Sequence, residues 1–384
     1  MEVLHICSYY IGNTLYANLV KELSKDQVNQ HVFIPIKNES FEGINQLPSE
    51  YNTIKYYYNN ILNKHDRFFY FNKTRKQLHE IERLIISKRN ISFIHAHTLF
   101  SDGGTAYRLY RRHGINYAIN VRNTDVNIFY KYCIHLRPFM YKILLSASFI
   151  VFISPAYKEK VLKVLPERIK NEISGKCLTI PNGIDDFWHK NQISPKGKYI
   201  KHKKVTLIFV GNLDKNKNIE SVLYSCYELK NKGYDVRLNV IGKGPLDNYC
   251  RELTNDLKIT DQVIFHGYIS NKEKISSIMK VSDIFIMPSV NETFGIVYIE
   301  ALSMGLPVIY SKDQGIDGYF RSGEVGYPIE PNNIKDITNA VFKILDNYPD
   351  ISRKCASKIT SFNWSTITKK YKGLYLKGSV EQKT

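Results

Sequence analysis

One rhythm, stated twice, limits what this chain can become. Over residues 1–180, short apolar runs of β type alternate with amphipathic helical stretches, and the alternation restarts after a polar, lysine-rich interval at 189–204. In the first half, strands are expected at 3–8, 31–35, 93–97, 117–121 and 149–154. The first helix is striped by Leu15, Leu19, Val20 and Leu23, and others are expected near 102–113, 129–146 and 156–165. In the second half, 205–211, 236–242, 263–267, 284–288 and 307–310 read as strands, and 333–345 as a helix. Such alternation implies mostly parallel sheets covered by helices on both faces. At 384 residues the chain exceeds the usual size of one core. The expected fold class is therefore α/β, with two Rossmann-like domains, 1–195 and 200–358, facing across a cleft of the kind ligands occupy. No short-period repeat is present, which excludes a solenoid.

Charge is unevenly spread. Residues 51–170 carry 21 basic and 7 acidic side chains, a balance of +14 against a whole-chain net charge of +18. Aromatic residues are interleaved with the cations, as in 64–76 and 129–132. Such a surface suits anionic lipid headgroups, each nearby Lys or Arg contributing about 1 kcal/mol. Nucleic acid is not expected as a partner, because no RNA-recognition, zinc-finger or KH signature accompanies the charge. Cys7, Cys133, Cys177, Cys226, Cys250 and Cys355 form no Cys-x-x-Cys pair, which argues against a zinc site or disulfide framework and suits a reducing compartment. The first residues read as a strand rather than a signal peptide, and the longest apolar run, around 143–153, is too short to span a bilayer. A cytoplasmic location is expected, with a peripheral position at the inner face of the plasma membrane.

The stretch 291–308, Asn-Glu-Thr-Phe-Gly-Ile-Val-Tyr-Ile-Glu-Ala-Leu-Ser-Met-Gly-Leu-Pro-Val, is the most informative about chemistry. It reads as a loop feeding a short buried helix that stops at Gly305, with Pro307 opening the next strand. Thr293 is the expected N-cap, leaving the amides of Phe294, Gly295 and Ile296 free to bind an anion. Glu300 lies among apolar neighbours, where a carboxylate needs hydrogen-bond donors such as sugar hydroxyls. Upstream, 281–289 is an apolar strand ending in Pro288 and Ser289, which puts the acidic loop at the carboxyl edge of a parallel sheet, where ligands of open α/β sheets bind.

This segment, with Glu292 and Glu300 in a Glu-x7-Glu pattern, resembles the signature of retaining nucleotide-sugar glycosyltransferases of family 4, the glycosyl transferases group 1, which have the GT-B fold. The resemblance implies that Glu292 holds hydroxyls of a donor sugar and Glu300 the nucleotide ribose. The tail 360–384, with Phe362-Asn-Trp-Ser near its start, resembles the family's helix that returns to the first domain. Gly211-Asn-Leu-Asp-Lys-Asn-Lys217 resembles the phosphate loop, with Lys217 in the expected place and Asn212 where the family has Arg. Lys215 and Lys243 are candidates to compensate for that lost charge. Gly242 and Gly244 resemble the Gly-x-Gly-Pro turn that lets the backbone approach the nucleotide, and Gly267-Tyr268 stands where the base is cradled. Gly12 is a partial match to the glycine loop after the first strand.

On the acceptor side the expected residues are Arg122, Asp125 and His97. Arg122 stands where the family has His, and a structural ion pair with Asp125 is an equal alternative. His95 and His97 share a strand face, but no third metal ligand is evident and no Asp-x-Asp occurs, so no metal cofactor is expected. The resemblance implies transfer of a sugar from a nucleotide-diphosphate sugar, expected to be UDP-linked, to a glycan or lipid-linked glycan in capsule or O-antigen assembly. The resemblance also implies that Glu292 and Lys217 carry the catalytic role. Two alternatives share the architecture: a nucleotide-sugar 2-epimerase, and a degenerate glycan-binding scaffold.

Overall fold

A computed structural model describes residues 1–67, 69–193 and 203–380. Packing divides the chain into two compact units. The first holds Met1–Ile153, Lys158–Asn182 and Trp364–Thr384, and the second Ser154–Tyr157 and Gly183–Asn363.

The first unit contains strands β1 (Glu2–Ile6), β2 (Asn29–Ile36), β3 (Ile54–Asn60), β4 (Phe93–Ala96), β5 (Tyr117–Val121), β6 (Phe149–Phe152) and β7 (Cys177–Thr179). They form one parallel sheet in the order β3-β2-β1-β4-β5-β6-β7, which reverses direction between β1 and β4. Every residue of β4, β5 and β6 is buried, as expected of a sheet covered on both faces. The helix Trp364–Val380 completes this unit. Its Trp364, Ile367, Tyr371 and Tyr375 are buried in one cluster with Val3, Leu19, Leu23, Phe93 and Phe149. At roughly 1.5–3 kcal/mol for each large apolar side chain buried, the returning helix is a substantial part of the unit's core.

The second unit contains β8 (Lys204–Val210), β9 (Asp235–Ile241), β10 (Val263–Gly267), β11 (Ile284–Met287), β12 (Val308–Ser311) and β13 (Gly326–Ile329). Its parallel sheet runs β10-β9-β8-β11-β12-β13, reversing between β8 and β11. The loops leaving β8 and β11 therefore emerge side by side at the switch point, where open α/β sheets bind ligands.

Several expectations are revised. The units divide at Gly183 rather than at 195–200, because Ile184 donates its amide to the Phe362 carbonyl (3.0 Å) and Trp188 is buried within the second unit. Of the expected linker 189–204, residues through Lys190 belong to the helix Asp186–Lys190, and 194–202 lie outside the described residues. The expected helix 129–146 is broken into a wide turn at Asp125–Tyr130, a tight turn at Ile134–Leu136 and a helix at Arg137–Ser146. Pro138 sits in the first turn of that helix, where its missing N–H costs nothing, so the helix begins there. The edge strand β3 and the helix Tyr70–Ile81 were not anticipated. In β3 Ile54 alone is buried, and the helix hides its buried Tyr70, Thr74, Gln77, Leu78 and Ile81 within a polar composition.

Candidate functional site

Two asparagines bind the loops of the second unit together. Asn216 donates its side-chain amide to the Asn291 carbonyl (3.0 Å) and accepts from the Asn291 amide (3.1 Å), while its own carbonyl accepts from Val290. Asn218, at φ 56, reaches the carbonyls of Pro288 (3.2 Å) and Pro331 (2.7 Å). Sequence reasoning passed over both, because Asn in a polar loop carries no distinguishing pattern. Held this way, Lys217 lies beside Glu292, with Nζ 2.5 Å from Oε2. The other carboxylate oxygen, Oε1, accepts the amides of Thr293 (3.1 Å) and Phe294 (3.4 Å). Asn212 is exposed and donates to Asp214 (2.6 Å), whose second oxygen caps the Lys217 amide (2.8 Å).

Thr293 is not the cap of the following helix. The helix is Ile296–Ser303 and the residue before it is Gly295, at φ 73. A Cβ on Gly295 would lie 2.5 Å from the Tyr298 ring, so the turn needs glycine both for its backbone and for space. Tyr298 donates its amide to the Gly295 carbonyl (3.0 Å). The open amides are consequently those of Gly295, Ile296 and Val297, which have no acceptor among the described residues. Phe294 has spent its amide on Glu292, and its ring is buried against Tyr319 and Phe362 as an anchor. Unbonded amides at a helix start favour an anion.

Glu300 lies within that helix, and burial raises its carboxyl to about 7, against the opposing pull of Lys272 and Trp188. The Trp188 indole N–H completes no hydrogen bond of ordinary geometry, though it is near enough to favour the ionised acid. Lys272 pairs with Asp185 at 2.6 Å. These three neighbours were missed: Asp185 and Trp188 follow the Pro-Asn-Gly turn, which reads in sequence only as the close of a domain.

The glycine turn meets a packing demand of its own. A Cβ on Gly242 would stand 1.8 Å from the Gly211 carbonyl, and one on Gly244 2.4 Å from that of Leu213. These glycines let the turn lie against the loop after β8, where Leu213 donates its amide to Lys243 (3.1 Å) and Leu246 donates to Leu213 (2.9 Å). Tyr268, after the end of β10, is 73% exposed. Gly12 has no positive φ, and a Cβ there would meet nothing within 4 Å, so its backbone makes no special demand for glycine.

In the first unit the expected acceptor-side residues are mostly internal. Asp125 is buried and its carboxylate accepts the amides of Leu99 (3.0 Å), Phe100 (3.0 Å) and Arg122 (2.8 Å). Burial raises it to about 6 despite those bonds. The Arg122 side chain goes elsewhere, to Asn182 (3.2 Å) and over the Tyr16 ring, so the pair is joined through the Arg122 backbone. His97 is buried, with Nε2 3.1 Å from Nδ1 of His5. His5 also corrects the expectation that no third imidazole is near: ligand atoms of His5, His95 and His97 lie within 4.8 Å of one another. Burial, first of all, holds His97 well below the usual histidine range. Among the described residues no helix is long and apolar enough to cross a membrane.

Fold and site define a class: an α/β protein of two parallel-sheet units, the second of which sets a lysine–carboxylate pair and open helix amides at its switch point. Residues 191–361 match the model of the family described as glycosyl transferases group 1, the one its motifs resemble. An uncharacterized glycosyltransferase of Methanocaldococcus jannaschii is 23% identical over 237 residues, 59% of this chain and 59% of that protein. The UDP-Gal:α-D-GlcNAc-diphosphoundecaprenol α-1,3-galactosyltransferase of Escherichia coli is 28% identical over 212 residues, 52% of this chain and 54% of the relative. The chain thus spans less than two thirds of these relatives. The structure of Anabaena HepE in complex with UDP superposes with a TM-score of 0.71 at 14% identity, covering 98% of this chain and 100% of that one. At that identity the likeness is one of fold, and the fold class is GT-B.

Proposed function

We propose that the protein transfers a sugar from a nucleotide-diphosphate sugar, UDP-linked, to a hydroxyl of a glycan or lipid-linked glycan, retaining the anomeric configuration and using no divalent metal. The process it serves is cell-surface polysaccharide assembly, of capsule or O-antigen, at the anionic inner surface of the membrane. The observation that carries this reading is the Lys217–Glu292 pair beside the open amides of Gly295, Ile296 and Val297. Negative charge grows on a departing diphosphate in the transition state, and preorganised amides with a nearby ammonium stabilise it there. Glu292 then accepts hydroxyls of the sugar, and Glu300, ionised, those of the ribose. The Escherichia coli relative is named for a UDP-galactose donor and a diphosphoundecaprenol-linked acceptor, which supports the donor and acceptor classes.

The test is a panel of nucleotide sugars, first by thermal shift and then by turnover in the presence of EDTA. A ligand at 100 times its dissociation constant stabilises by about 2.7 kcal/mol. Release of nucleotide diphosphate only when acceptor is added is the expected result. Conversion of the donor to an isomer without acceptor would instead assign an epimerase, and donor binding without any turnover a scaffold.

A further inference from the structure

The helices Tyr70–Ile81, Gly103–His113 and Arg137–Ser146 of the first unit contribute to a cavity of about 590 Å³ whose lining includes Tyr107, Arg108, Arg111, Arg112, Phe139 and Lys142. No carboxylate lines it among the described residues. Arg112 is paired with Glu82 at 2.9 Å, outside the lining, whereas Arg108, Arg111 and Lys142 have no ion-pair partner among the described residues. The Arg108 guanidinium sits 5.6 Å from the ring centre of Phe139 and 5.9 Å from that of Phe71, and its Nε is buried without a hydrogen-bond partner. Burial and the like charges of Arg75 and Arg112 all disfavour that cation as it stands. An arriving anion would offset all of these.

The surroundings narrow the choice of anion. Phe71 packs on Phe139 at 5.3 Å and remains 44% exposed, and Phe69, just before the same helix, is 64% exposed. Leu78 and Leu145 add aliphatic wall to the cavity. A group of cations bordered by exposed aromatic and aliphatic carbon suits a molecule that is phosphate at one end and hydrocarbon at the other. We infer that this cavity seats the phosphate of an anionic phospholipid headgroup, with Phe69 and Phe71 entering the boundary between headgroups and acyl chains. The site deepens the proposed function, which meets a lipid-linked acceptor at a membrane surface. Its test uses neither donor nor acceptor, so the two readings fail separately.

The full chain is floated with phosphatidylcholine vesicles with and without phosphatidylglycerol. Binding is expected only with phosphatidylglycerol, and the double variant Arg108→Gln/Lys142→Gln weakens it about thirtyfold, two cations near the surface at about 1 kcal/mol each. Phe71→Ser weakens it independently of charge. Lys369→Gln/Lys370→Gln removes the same charge from an exposed part of the returning helix and changes binding only a few-fold. Should the first double variant misfold, Arg111→Gln on the exposed rim is expected to repeat the loss in smaller measure. Equal loss in both double variants overturns the site in favour of a diffuse field. So does equal binding to both vesicle types, binding of soluble glycerol phosphate without vesicle binding, or binding of an RNA oligomer in place of vesicles.

Discussion

At the carboxyl end of the first sheet, polar groups answer one another. Asp125 holds three backbone amides, Asp102 accepts the Ser8 amide (3.0 Å) and the hydroxyls of Ser8 (2.5 Å) and Thr98 (2.9 Å), and His97 faces His5. At the corresponding end of the second sheet, the amides of Gly295, Ile296 and Val297 are left open, the Lys217–Glu292 pair is partly exposed at 23% and 12%, and Trp188 keeps an unbonded indole N–H beside Glu300. The two ends share topology and many residue types. They differ in whether the backbone amides are already used, although His5 Nε2 and His97 Nδ1 at the first end are buried without a hydrogen-bond partner. An edge whose amides are satisfied contributes stability, and one whose amides are open contributes binding.

The sharpest break of that contrast is Asp125→Ala. It orphans three amides at about 1 kcal/mol or more each and should cost roughly 3 kcal/mol in urea unfolding. Asp125→Asn keeps an acceptor oxygen and should cost less than half as much. An Asp125→Ala protein of unchanged stability would show that the first edge is not the structural one. Lys217→Ala should do the reverse, lowering kcat/KM at least tenfold, about 1.4 kcal/mol, while shifting stability by no more than about 1 kcal/mol.

A pH-dependent effect follows from Glu300. Its folded carboxyl titrates near 7 against 4.5 in the unfolded chain, so the folded form binds its proton more tightly. That contribution to stability is full below about pH 4.5 and is lost as the pH rises through about 7, by at most about 1.4 kcal/mol per pH unit. Glu300→Gln should flatten the melting of the second unit across this window, and an unaltered pH profile would remove Glu300 from its buried setting. The smallest effect is expected of Gly12→Ala. With no positive φ and open space at Cβ, it should change stability by less than about 0.5 kcal/mol.

Much of the fold was legible because burial on both faces writes itself as apolar runs: β1, β4, β5, β6, β8 and β11 each stand near an expected strand. The strands β3, β7 and β13 were not, since edge strands are part exposed and lack that continuity. In the site, the helix between Gly295 and Gly305 was readable from its glycines and its apolar run. The cap was misplaced by two residues, because Thr is the stronger capping residue in general while the left-handed turn that only glycine tolerates is a property of the folded loop. Gly242 and Gly244 carry a demand that the motif alone does not reveal, for their close neighbours are Gly211 and Leu213, some thirty residues away in sequence.

The sequence by itself determined the two α/β units, the parallel sheets and the loop–helix that carries Glu292 and Glu300, because periodicity and turn chemistry are local. Only the tertiary structure decided which polar groups remain unsatisfied. Asp125 was sealed by amides of a loop after β4, His97 was joined by His5 across strands, and Glu300 was enclosed by Trp188 and Lys272 from separate helices. Hydrogen bonding and burial depend on what long-range folding brings alongside a residue, and no spacing along the chain records that.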